Sequence, residues 1–197
     1  DMTLNSRLDI AGLNPGSFGG DVFLFAGSLG SGNVTINDRI DVGGAGCSLE
    51  LGCSLGGSTD ITGCNVTVST TGNVTARGAS GGINKLTARV LLTILGPIEA
   101  TRTDALGIDG SNTFRHPTAN PSVVTGAVTP AAQDLPQTIC TTSGQLACLN
   151  PCPTCGNGVV EFPETCDNNV GTPQSCDGCS TFCQAENCTD ATSCTND

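Results

Sequence analysis

The chain has 197 residues and a net charge of −11, carried against a single lysine (Lys85) and six arginines. With no basic cluster to displace counterions from phosphates, the sequence excludes a nucleic-acid binder. Aromatic residues make up 3%, with no Trp or Tyr, which argues against a thick globular core. The 27 glycines, with abundant Thr, Val and Asn, favour short strands and tight turns over helices.

The predicted elements begin with a repeat. Residues 2–10 read MTLNSRLDI and residues 34–42 read VTINDRIDV, 32 residues apart and alike position by position. Another 32 residues on, VTVSTTGNVTA opens at Val66, LTILGPIEA follows at Leu92, and a degraded copy, SVVTGAVTP, starts at Ser122. Alternation puts Met2, Leu4, Leu8 and Ile10 on one face and Thr3 and Asp9 on the other. Further apolar runs, DVFLFAG at residues 21–27 and INKLTARV at residues 83–90, add strands between the copies. One such unit cannot bury its apolar face alone, whereas stacked units share a narrow aliphatic core.

The fold expected for residues 1–130 is therefore a right-handed parallel β-helix, a solenoid of four to five coils, within an all-β chain. A β-sandwich has similar short strands but no reason to repeat a nine-residue pattern in register. Gly12, Gly43, Gly44, Gly72, Gly81 and Gly82 are expected at corners that need positive φ. Residues 131–154, punctuated by Pro136, Pro151 and Pro153, are expected to link this domain to a small disulfide-rich module at residues 155–197.

Ten of the 13 cysteines lie between Cys140 and Cys194, with Cys47, Cys53 and Cys64 apart from them. That density points to disulfides and an oxidising compartment, so the chain is expected to be extracellular, secreted or on the cell surface. The alternative is zinc at the CxxC pairs Cys152–Cys155 and Cys176–Cys179. An odd count leaves one thiol free, joined to another chain, or paired outside this sequence. The longest apolar stretch, around Val90–Leu95, is far too short to span a membrane. The chain opens at Asp1 without a signal peptide, as expected of a mature form or an excised piece.

In the repeat register Asp9, Asp41, Thr75 and Glu99 form one outward column. Stacked carboxylates can make a calcium site or the paired acids of a polysaccharide hydrolase. The plainer reading is a solvated face relieved by Arg7 and Arg39. Thr3, Thr35, Thr67 and Thr93 form a second column, a strand-stabilising ladder, and Asn5 and Asn37 a short ladder at a corner. β-Helical polysaccharide lyases use Arg or Lys as base, but Arg77, Arg89, Arg102 and Arg115 are scattered here. His116, before Pro117, is expected at a turn without a catalytic role.

Residues 155–186 read CGNGVVEFPETCDNNVGTPQSCDGCSTFCQAE. The segment resembles the myxococcal-type cysteine-rich disulfide repeat, itself similar to the Notch-like repeats of pappalysins. The shared pattern falls on Cys155, Gly156, Asn157, Gly158, Glu161, Glu164, Cys166, Asp167, Asp177, Gly178, Cys179, Ser180, Cys183 and Glu186. It departs at Asn168 and Asn169, where one carboxylate is lost, and at Cys176, where Gly is common. The resemblance implies a bacterial secreted or surface protein and, through related modules, calcium. Glu164, Asp167, Asn169 and Asp177 are the calcium candidates, since a disulfide-pinned loop of oxygen ligands suits a hard cation; Asx-turns would use the same residues. The preceding repeats, in stretches such as ARGASGG and IEATRTDALGIDGS, are similar in texture to haemagglutinin-type surface adhesins.

The function expected from these readings is a non-enzymatic extracellular structural protein, a surface adhesin or filament subunit. It would self-associate as a homo-oligomer or filament, or engage a surface glycan or protein. The alternatives are a calcium-dependent glycan- or protein-binding module and a β-helical polysaccharide-degrading enzyme; the lack of Trp and Tyr sugar platforms counts against the last.

Overall fold

A computed structural model describes residues 1–26, 32–48, 52–141, 145, 148–152, 160, 164 and 166. Their strands, in chain order, are β1 (Met2–Leu4), β2 (Leu8–Asp9), β3 (Asp21–Phe25), β4 (Val34–Ile36), β5 (Arg39–Asp41), β6 (Cys47–Ser48), β7 (Gly52–Cys53), β8 (Ser58–Val68), β9 (Asn73–Thr75), β10 (Ile83–Ile94), β11 (Ile98–Glu99), β12 (Ser111–Pro117), β13 (Val123–Val124), β14 (Val128–Thr129) and β15 (Gln133–Gln137). No helix occurs among the described residues, and none is long and apolar enough to cross a membrane.

The strands form two parallel sheets. One has eight strands, ordered β1-β4-β8-β10-β12-β15, with β3 beside β8 and β13 beside β10; the other has five, ordered β14-β11-β9-β5-β2. A two-stranded antiparallel pair, β6 and β7, stands apart.

This corrects the expectation of a right-handed parallel β-helix: the molecule is all-β with two parallel sheets, and the described residues show no closed solenoid. The reason lies in strand length. β8 and β10 span 11 and 12 residues and join runs that read as separate walls into one sheet. β10 runs on from INKLTARV into the start of LTILGPIEA, with an irregularity in its pairing to β8 between Ala88 and Leu91. Residues 77–82 and 100–110 are connections that carry isolated bridges, such as Gly78 to Arg102, rather than strands.

The repeat register itself is present. Met2, Thr3 and Leu4 pair with Val34, Thr35 and Ile36, which pair in turn with Val66, Thr67 and Val68. On the second sheet Asp9, Asp41, Thr75 and Glu99 lie in line. Inward positions of both sheets meet in one aliphatic core, including Ile36, Val68 and Ile94 from the first and Ile40, Val74 and Ile98 from the second, all fully buried. Each such side chain contributes on the order of 1.5–3 kcal/mol by leaving water.

The glycines do something other than expected. Only Gly16 and Gly46 have positive φ among the described residues. At Gly57, Gly82 and Gly110 the constraint is close approach of stacked backbones. A Cβ there would stand 1.9 Å from the Gly20 oxygen, 2.0 Å from the Gly57 oxygen and 1.8 Å from the Gly82 oxygen respectively.

β15 falls inside the stretch read as a linker. It pairs with β12, and Ile139 then bridges to Leu149. The disulfide-rich module expected at 155–197 lies outside the described residues apart from Val160, Glu164 and Cys166.

Candidate functional site

The carboxylate column is where chemistry was first expected. Arg7 pairs with Asp9 at 2.6 Å and reaches Asp41 at 3.6 Å; Arg39 also pairs with Asp41, and Arg77 with Glu99. The remaining oxygens turn to backbone, since Ala11 N donates to Asp9 Oδ1 at 3.1 Å and Gly43 N to Asp41 Oδ1 at 3.0 Å. The column is less solvated than expected: Asp41 is 7% exposed and Thr75 is buried, its hydroxyl donating to Asn73 Oδ1 at 2.6 Å. Carboxylates spent on guanidinium and backbone N–H groups, and interrupted by Thr75, do not form the convergent oxygen cage that a hard cation requires. Arg77 is the partner that sequence reading missed.

The threonine column stands in register, with Thr35, Thr67 and Thr93 half-buried and Thr3 exposed. Asn37 Nδ2 donates to Asn5 Oδ1 at 2.8 Å, forming the corner ladder. A second amide ladder lies inside the core. Thr59 Oγ1 donates to Asn84 Oδ1 at 3.0 Å, Asn84 Nδ2 to Asn112 Oδ1 and to Glu99 O at 3.0 Å each, and Asn112 Nδ2 to Pro130 O at 2.7 Å.

His116 lies at the end of β12 rather than at a turn, and its ring is buried. Nδ1 faces the carbonyl oxygens of Pro117 and Asn120 at 3.0 and 3.1 Å and so carries a proton; Nε2 faces Asp134 Oδ1 at 3.0 Å. The ring thereby ties β12 to β15. Arg89 is also buried, donating to Pro151 O at 3.3 Å and Ala26 O at 3.4 Å and lying 3.5 Å from Cys64 Sγ. Desolvation by burial pulls its guanidinium below the ordinary value.

Three disulfides are described: Cys47–Cys53, Cys64–Cys152 and Cys140–Cys148. Cys152, half of a CxxC pair read as a zinc alternative, is thus bonded to Cys64. Cys47, Cys53 and Asp104 place their ligand atoms within 4.8 Å of one another, but both sulfurs are spent on their disulfide. Among the calcium candidates, Glu164 is buried; Asp167, Asn169 and Asp177 lie outside the described residues.

The arrangement that sequence reading missed is on the outer face of β3. Phe23 and Phe25 are 61% and 54% exposed, with ring centroids 6.4 Å apart and planes 9° from parallel. The run DVFLF signalled a strand, and its alternation leaves Val22 and Leu24 inward and both rings outward. Comparisons with protein-family models, curated proteins and solved structures found no match.

Proposed function

We propose that this protein is a non-enzymatic extracellular structural protein, a surface adhesin or filament subunit, that self-associates. One observation carries the reading. Like side chains stack in register along both parallel sheets, Thr3 on Thr35 on Thr67 and Leu8 on Ile40 on Val74, over one aliphatic core. The carboxylates of the stack are taken up by Arg7, Arg39, Arg77 and backbone N–H groups, an arrangement suited to a framework rather than to a reacting site. End-to-end association of such frameworks gives a filament.

The three described disulfides support the extracellular reading. The likeness of residues 155–186 to cysteine-rich repeats of secreted and surface proteins points the same way.

Sedimentation of the non-reduced chain over a concentration series tests the proposal. The expected result is reversible association of the folded chain, with its circular dichroism kept. A monomer at every concentration overturns it.

A further inference from the structure

The β6–β7 pair presents two cysteines to solvent. Cys47 and Cys53 stand opposite each other in register, both are exposed, and a disulfide joins them. By contrast, Cys64 and Cys140 of the other two described disulfides are buried. Exposed disulfides are the more readily reduced, because an attacking thiolate must reach a sulfur. Losing the bond does not part the two residues. Gly46 N donates to Ser54 Oγ at 2.8 Å and Ser54 N to Gly46 O at 3.1 Å, so hydrogen bonds pin the base of the pair, and Ser54 is fully buried.

A third donor stands beside them. Asp104 Oδ2 lies 3.3 Å from Cys47 Sγ, and the three ligand atoms fall within 4.8 Å of one another. A disulfide sulfur has no proton to give, so this contact brings the carboxylate no hydrogen bond in the oxidised chain. Among the described residues Asp104 has no ion pair, unlike Asp9, Asp41 and Glu99. Its other oxygen is fixed, since Leu106 N donates to Oδ1 at 2.8 Å. The preceding Thr103 is anchored too, donating through N and Oγ1 to Gly78 O at 2.6 and 2.9 Å. A carboxylate held by one oxygen, with the other aimed at sulfur, has the support that orients a metal ligand. Tetrahedral zinc, with bonds of about 2.3 Å to sulfur and about 2.0 Å to oxygen, sets S···O at ~3.5 Å and S···S at ~3.8 Å. The first separation is nearly met already. The second needs the freed sulfurs to part by ~1.7 Å, a rotation about each Cα–Cβ bond.

We propose that Cys47, Cys53 and Asp104 form a redox-gated zinc site, closed while the disulfide stands and opened by a dithiol. One thiolate of the dithiol attacks a sulfur and the Cys47–Cys53 bond breaks. The second thiol then displaces the protein sulfur and leaves a cyclic disulfide. Two electrons pass to the chain, which ends with two thiols. Zinc takes two thiolates and one carboxylate, two protons leave to solvent, and water fills the fourth position. Thiolate ligands favour zinc over calcium or magnesium, which take oxygen. The site lies on the β6–β7 pair, off both parallel sheets, and does not depend on self-association.

The test begins with limited reduction of the full chain by dithiothreitol, then alkylation of a sample and mass mapping. Cys47 and Cys53 are expected to be labelled before any other cysteine. The remainder, freed of reductant without air, is titrated with Co²⁺, whose thiolate charge-transfer and tetrahedral visible bands report the ligands. Both bands should appear only after reduction, and Zn²⁺ should abolish them. Cys47→Ser/Cys53→Ser should remove them, with circular dichroism verifying that the sheets persist. Asp104→Asn keeps both sulfurs, and it should weaken Co²⁺ binding by about tenfold or more while retaining the charge-transfer band. Labelling of other cysteines first, no cobalt band after reduction, a band that survives loss of both sulfurs, or affinity indifferent to Asp104→Asn overturns the proposal.

Discussion

At the scale of single residues the core is decided by a polar group. Asn84 is 0% exposed, yet its amide has every atom engaged: the oxygen accepts from Thr59, and the nitrogen donates to Asn112 and to Glu99 O. Replacing it with Leu leaves the Asn112 oxygen and the Thr59 hydroxyl without their partner in an apolar interior, while Glu99 O keeps the bond from Ala76 N. A buried group left unpaired costs about 1–3 kcal/mol. With partial relaxation, Asn84→Leu should lower unfolding free energy by ~3 kcal/mol in urea titrations with disulfides intact. A change under ~1 kcal/mol would mean that the ladder is a bystander to packing. The signal for this ladder was in the sequence: in INKLTARV the alternation places Asn84 in phase with Leu86, an amide in an apolar column. The tie of His116 to Asp134 had no such signal, because its partner comes from a strand 18 residues on, in a stretch whose prolines read as a linker.

At the scale of elements, the repeat made strand pairing legible. MTLNSRLDI and VTINDRIDV repeat side-chain type in order, and parallel pairing in register is the arrangement that stacks like on like: Thr3 on Thr35, Leu8 on Ile40. The architecture was not legible, because a corner and a continuous strand read alike when both are short of glycine. Hence INKLTARV and the opening LTI of LTILGPIEA read as separate strands in sequence but are joined in the 12-residue β10, while Ile98–Glu99 form β11 in the other sheet. Glycines were read as turn residues for a sound general reason, but their demand here is space. Gly82 is the clearest case: a Cβ there would stand 2.0 Å from Gly57 O and 2.7 Å from Gly56 C, both backbone atoms with no rotamer to yield. Gly82→Ala must push adjacent strands apart, and overpacking of this kind costs typically ~1–3 kcal/mol or more. The expected outcome is a lower thermal midpoint with loss of Lys85 and Leu86 amide protection in hydrogen exchange. Unchanged exchange across β10 would show that the stack tolerates the extra carbon.

At the scale of the whole molecule, the thin aliphatic core is supplemented by a covalent tie. The Cys64–Cys152 disulfide closes 88 residues, linking the middle of β8 to the chain beyond β15. Arg89 reinforces the same junction by donating to Pro151 O and Ala26 O. Loop-closure entropy grows with the logarithm of length, so this bond should stabilise by ~4–5 kcal/mol, against ~2–3 kcal/mol for the bridges of 8 and 6 residues at Cys140–Cys148 and Cys47–Cys53. A domain of marginal stability would have most of its margin in that one bond. The Cys64→Ala/Cys152→Ala variant should therefore unfold at much lower urea than the parent. Adding dithiothreitol should bring the parent most of the way to the variant while moving the variant little. If the reductant destabilises both alike, the decisive bridges lie elsewhere in the cysteine-rich third of the chain, and the sheets stand without help from the tie at Cys64. If it destabilises the parent alone, the fold depends on an oxidising environment at one identified bond, which favours the extracellular reading over any reducing compartment.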